Sequence, residues 1–219
     1  MSKNFVSNKD ETVRMFKNDF LESLSKVHFT IPLIIFLPVI FIFVYRANSV
    51  FDLSVYYQIW LMLFGIFVWT FTEYTLHRFI FHYEPKNKFG QKIHFIFHGV
   101  HHDYPKDSRR LVMPPSVSVP LAVFFYFIFY HLIGYTYVSP FFVGFLTGYL
   151  FYDMTHYAIH HLQIHNRLFL FIKKHHMKHH YKDYTKGFGV SQPLWDYVWG
   201  TTFMEDESHE LDDYLKKES

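Results

Sequence analysis

The sequence predicts an all-α integral membrane protein: about four transmembrane helices and a cytoplasmic helical cap that holds a histidine-rich dimetal site. Three observations carry this expectation. Four long apolar runs punctuate the chain. Twenty of the 21 Lys and Arg residues fall on one side of those runs. Ten of the 17 histidines sit in four clusters at or beyond the ends of apolar segments.

The 219 residues suffice for one domain or one compact membrane unit. Half are apolar and 22% aromatic, with 28 Phe, an excess that suits a lipid-facing protein. Mean hydropathy is only +0.02, so a large polar part accompanies the spans. A formal charge of +2 gives no reason to expect nucleic acid as a partner. The absence of Cys excludes disulfides, thiolate metal sites and a catalytic thiol. About 27 mixed polar residues, acids among them, precede the first apolar run, unlike the short basic start of a cleaved signal peptide.

Residues 1–27 read as an amphipathic N-terminal segment, a surface helix with Val13, Phe16, Phe20, Leu21 and Leu24 at helical intervals. The main domain is expected over 28–203, with spans at about 29–46, 55–76, 117–138 and 140–161. The first, slightly extended, reaches about 18 residues or roughly 27 Å, enough to cross a thin hydrocarbon core. Short polar linkers, Arg46–Ser54 and Gly134–Ser139, pair the spans as two hairpins. An acidic tail, 204–219, closes the chain. Five Lys and Arg residues precede the first span, seven lie between the second and third, and eight follow the fourth; only Arg46 lies opposite. The positive-inside rule then puts the N-terminus, the middle loop, the C-terminal region and all four histidine clusters on the cytoplasmic face.

The clusters are His77-x4-His82, His98-x2-His101-His102, His156-x3-His160 and His176-x2-His179-His180. Residues at i, i+3 and i+4 share a helix face. Ten imidazoles exceed what one four-coordinate ion uses, so two metal ions are expected. His77 and His82, five apart, stand about 140° out of register on an ideal α-helix. His82 is therefore expected to reach back from a turn near Pro85. Nitrogen donors without thiolate suit Fe(II), Zn or Cu. Glu73 and Asp153, each within about a turn of a cluster, are expected to orient His77 and His156 through their distal ring N–H groups; direct catalytic use of either carboxylate is the alternative. His94 is a further candidate for such a supporting role. His176 is favoured over its neighbour His175 as a ligand because it preserves the HxxHH face.

The stretches EYTLHRFIFH (73–82), HFIFHGVHHDYPKDSRRLVMPP (94–115), YDMTHYAIHH (152–161) and KKHHMKHHYKDYTKGFGVSQPLWDYVWGT (173–201) resemble the fatty acid 2-hydroxylases of the membrane fatty acid hydroxylase and sterol desaturase superfamily. The histidine boxes are shared across the superfamily, whereas RRLVMPP and GFGVS…LWDYVWGT resemble the 2-hydroxylase branch. The likeness covers roughly Phe64–Phe203. It implies a di-iron centre that uses O2 and two electrons to hydroxylate carbon 2 of a long acyl chain, free or amide-linked in a ceramide. It carries the ligand role onto His77, His82, His98, His101, His102, His156, His160, His176, His179 and His180. The resemblance also allows zinc as a substitute for iron in purified protein. Several relatives carry a fused cytochrome b5 domain; this chain has no room for one and no His-Pro-Gly-Gly haem motif. Electrons are therefore expected from a separate carrier, cytochrome b5-like or ferredoxin-type.

The acyl chain is expected in an apolar slot between spans and cap, with Arg109, Arg110, Tyr157 and Tyr181 as substrate contacts. The rival readings are another lipid oxidation by the same superfamily (desaturation, carotenoid or sterol hydroxylation) and a metal transporter. A transporter should place ionisable residues at mid-membrane, where these spans carry little beyond His131. A bacterial inner membrane and the endoplasmic reticulum membrane both suit the sequence.

Overall fold

Apolar sequence without internal turn signals folds here as long helices. The computed structural model describes residues 5–203. Its elements are α1 (Asp19–Leu24), α2 (Ile31–Ser49), α3 (Val55–Thr75) with a π-helix (Leu76–Phe81) continuing it, α4 (Lys88–His94), a second π-helix (Phe95–Gly99), α5 (Val100–Asp103), α6 (Pro115–His161), α7 (Arg167–Tyr181) and α8 (Leu194–Val198). There is no strand among the described residues. Among the described residues three helical stretches, 31–49, 55–81 and 115–161, are long and apolar enough to cross a membrane.

The third stretch is two limbs. At Gly134 the backbone turns to φ 82°, ψ 166°, a region only glycine enters without strain. Phe125 and Phe145 have ring centroids 5.1 Å apart, and Phe129 and Phe141 4.7 Å. A straight helix would separate the first pair by about 30 Å. The limbs 115–133 and 135–161 therefore fold back on one another, and four apolar limbs result. The predicted six-residue polar linker shrinks to this one glycine, because Ser139 and Pro140 are buried inside the second limb.

Small residues let α3 approach that limb closely. A Cβ on Gly65 would stand 2.0 Å from the Phe141 carbonyl oxygen, and one on Gly144 1.9 Å from that of Met62. Backbone meets backbone there, as at other helix crossings in lipid. Trp69 fills the next turn against Gly148, Phe145 and Tyr149. Gly144→Ala is expected to cost about 3 kcal/mol, since neither backbone can yield. A lowered unfolding temperature in detergent checks this.

The N-terminal segment departs from expectation. Among its described residues only Asp19–Leu24 is helical, started by Asn18, whose side chain accepts from the Phe20 and Leu21 N–H groups. Before it the chain runs as a strap along residues 103–110. The Val6 and Ser7 N–H groups donate to the Asp103 carbonyl, Ser108 N–H to Asp10, and Thr12 Oγ1 to Asp107. Backbone committed to those partners cannot make helical bonds. The predicted acidic tail, 204–219, lies outside the described residues.

Candidate metal centre

The His77–His82 spacing is resolved by the π-helix. Its wider turn brings residues five apart onto one side, and the His82 N–H donates to the His77 carbonyl at 3.1 Å. His82 thus closes that π-helix and does not reach back from a turn at Pro85. A second π-helix carries His98. Such turns concentrate at functional sites because they re-aim side chains that α-geometry would splay.

All ten histidines singled out in the sequence come together, in two groups of five. His77, His82, His98, His102 and His179 form one; His101, His156, His160, His176 and His180 form the other. Within each, one ring nitrogen per residue lies within 4.8 Å of all the others. The segment 98–102 gives His98 and His102 to the first group and His101 to the second. Likewise 176–180 gives His179 to the first and His176 and His180 to the second. His102 and His180 stack where the groups meet, centroids 4.3 Å apart. The second group is buried throughout, while His82 and His102 leave the first half-open.

The donor chemistry fits metal ions. The Nδ1–H of His77 donates to the Phe188 carbonyl and that of His179 to the Lys186 carbonyl, both at 2.6 Å. Each neutral ring keeps its lone pair on Nε2. That nitrogen faces His98 Nε2 at 3.1 Å in His77 and has no hydrogen-bond partner in His179. In the second group, His156 Nε2 faces His101 Nε2 at 2.9 Å, and His176 Nε2 faces those of His160 and His180 at 3.1 Å. Where both nitrogens of such a pair carry lone pairs they repel at these distances unless a cation lies between them. Burial, then the neighbouring imidazoles, pushes His98, His101, His176 and His180 well below the ordinary histidine range. Burial first, and neighbours second, take His102 and His179 down to about 3. These rings are neutral at pH 7, the form that binds metal.

The groups that hold the ligands differ from those expected. Glu73 makes no hydrogen bond with His77: it accepts from the Val190 and Ser191 N–H groups at 2.7 Å and from the Ser191 hydroxyl. Asp196 accepts from the Phe188 and Gly189 N–H groups at 2.9 and 2.7 Å, from Thr201 Oγ1 at 2.7 Å and from His175 Nε2 at 3.2 Å. Two buried carboxylates thus pin the GFGVS loop, and the loop's Phe188 carbonyl orients His77. Burial alone would raise the Asp196 carboxyl, but its bond with His175 and its other donors hold it below the usual range. Gly187 sits at φ 73°, and a Cβ on Gly189 would stand 2.0 Å from the Gln192 carbonyl oxygen. Asp153 likewise accepts from the Met113 N–H at 3.3 Å, leaving His156 Nδ1 without a partner. It steadies the RRLVMPP loop. His175 serves Asp196 while His176 faces the second group. His94 stays half-buried, with no hydrogen bond to either group among the described residues. Sequence reasoning missed the Phe188 and Lys186 carbonyls, which carry no side-chain signature.

A cavity of about 270 Å³ opens beside both groups, reaching His98, His101 and His156. Phe81, Phe97, Leu111 and Val112 make its wall largely apolar. Of the four expected substrate contacts, only Arg110 lines it. Its buried guanidinium already bonds Glu22 Oε1 at 2.8 Å, Ser25 Oγ at 2.7 Å and the Val13 carbonyl. Burial works to raise the Glu22 carboxyl, yet Lys26, two backbone N–H groups and Arg110 hold it at about 2. Arg109 is exposed. Tyr157 stacks on Phe29 at 4.4 Å, and the exposed Tyr181 donates to Asn8 Oδ1.

The fatty acid hydroxylase family profile matches residues 62–201. A dihydroceramide fatty acyl 2-hydroxylase of Arabidopsis thaliana is 38% identical over 192 residues, covering 87% of this chain and 80% of that protein. A ceramide very long chain fatty acid hydroxylase of Schizosaccharomyces pombe is 40% identical, over 84% of this chain and 53% of that one. The human fatty acid 2-hydroxylase is 33% identical, over 88% and 57%. The chain thus spans little more than half the length of these last two relatives. A solved structure of full-length Scs7p, with only its hydroxylase domain visible, matches at a TM-score of 0.81 and 38% identity, over 87% of this chain and 72% of that one.

Proposed function

Because the chain belongs to the fatty acid hydroxylase family, we propose that it hydroxylates carbon 2 of long-chain fatty acyl groups, free or amide-linked in ceramide. The observation that carries this reading is the pair of five-histidine groups beside one apolar cavity. The ten histidines would hold two irons, five to each. Neutral imidazole binds iron and zinc alike, but only iron changes oxidation state under O2, so zinc fills the site without turnover. When bound, the irons supply the redox chemistry, through which O2, two electrons and two protons place one oxygen atom on carbon 2 and release the other as water.

The chain's own residues do the rest. The apolar wall holds the acyl chain with carbon 2 beside His98, His101 and His156, and keeps water from the reacting carbon. The pinned GFGVS loop keeps His77 in one tautomer and one orientation. On the charge asymmetry, the site faces the cytoplasm of a bacterial inner membrane or the cytoplasmic side of the endoplasmic reticulum. The basic surface there suits an acidic electron carrier, cytochrome b5-like or ferredoxin-type.

Lipid mass spectrometry of a host with and without the gene tests the reading. Acyl chains one oxygen atom heavier, with the oxygen at carbon 2, are expected. Loss of two hydrogens instead would establish a desaturase.

A further inference from the structure

One wall of the cavity comes from far away in the chain. Met15, Phe16, Leu21 and Leu24 line it together with His98, His101 and His156. Little local structure holds that wall, since α1 has only six residues. Arg110 holds it, with a side chain 2% exposed, its terminal N–H groups donating to Val13, Ser25 and Glu22 and its Nε 3.3 Å from Asp107 Oδ2. The same segment is apolar on its outer surface. Phe20 is 69% exposed, Leu21 46% and Leu24 41%. Leu21 and Leu24 therefore belong to the cavity wall and to the outer surface at once, and the wall is a rim.

At about 270 Å³ the cavity falls at the small end for ligand sites, so a long acyl chain fits only in part. Carbon 2 must lie beside the histidines, and the distal methylenes must leave the cavity. Resting on the 2-hydroxylase reading, we infer that residues 13–25 are a selectivity rim. A long acyl chain crosses Phe16, Leu21 and Leu24 on its way out. Its apolar contact there favours it over a chain that ends inside. Arg110 is a positioning residue for this rim and not a receptor for the substrate's carboxylate.

The test is a competition assay on the iron-loaded, full-length protein, with equal amounts of one short and one long fatty acid. Phe16→Ala and Leu24→Ala each strip apolar contact from the rim and leave the bundle core alone. Each is expected to lower the long-to-short ratio of 2-hydroxy products by about fivefold, a change typical of one or two lost methylene contacts. Binding of a radiolabelled long-chain acid to the metal-free protein should weaken in parallel. Circular dichroism verifies that the variants fold. An unchanged ratio and unchanged binding in a folded variant of either kind overturns the rim. A wild-type protein that binds the acid but forms no 2-hydroxy product from either chain overturns the 2-hydroxylase reading instead, while the binding arm still reads the rim.

Discussion

His98→Ala is expected to abolish acyl 2-hydroxylation and to lower bound metal far below the wild-type level. His98 Nε2 lies 3.1 Å from that of His77, 3.0 Å from that of His82 and 3.0 Å from that of His102. It is the hub of the first group, and it also lines the cavity. Alanine removes a donor and opens the group to that cavity in one step. Activity below about 1% of wild type is expected, since the lost interaction acts on the reacting centre itself and not on substrate binding alone. Elemental analysis of the purified variant reads the metal, and lipid mass spectrometry the product. Full activity with two metals bound would remove His98 from the ligand set.

Glu73→Ala has the second large effect, and it acts at a distance. Glu73 is 3% exposed and accepts from three donors of the 190–191 turn. Alanine leaves all three buried without a partner, at about 1–3 kcal/mol each. The sum approaches the whole stability of an ordinary domain. The released loop also carries the Phe188 carbonyl away from His77. A lowered melting temperature, with metal lost before the helices unfold, is the expected signature. Glu73→Gln keeps the shape and one acceptor oxygen, so it should fall between alanine and wild type. If Glu73→Ala melts and binds metal as wild type does, the loop is held by something else.

The parts of this design that are legible in sequence are those written in composition and period. Apolar length announces the limbs around 31–49, 55–81 and 115–161, because a span must bury its backbone along its whole length. The histidine spacings announce which side chains share a helical face. What escaped was decided elsewhere in the chain. The spacing of His77 and His82 looked wrong for a helix only because an α-helix was assumed. Val13 and Phe16 continued the helical period of α1, yet the strap's backbone and Arg110 bind that stretch to residues 103–110. Glu73 sits one turn from His77, close enough to suggest a direct bond. Its partner Ser191 lies 118 residues downstream and could not be found by spacing. Arg110 fitted the profile of a carboxylate receptor until Glu22 and Asp107 proved to be the carboxylates it meets.

The division of 98–102 and 176–180 between the two histidine groups has a consequence for assembly. Two ions held by these groups would each tie the same two segments together from its own side, so neither would be loaded on a scaffold indifferent to the other. The first ion to bind would fix three of its neighbour's five donors in place and so lower the ordering cost for the second. Loading should therefore run close to all-or-none. Proteins carrying a single ion will be scarce at any metal supply, and mixed iron–zinc pairs will form more readily than half-empty ones. Stripping either ion with a chelator should release both.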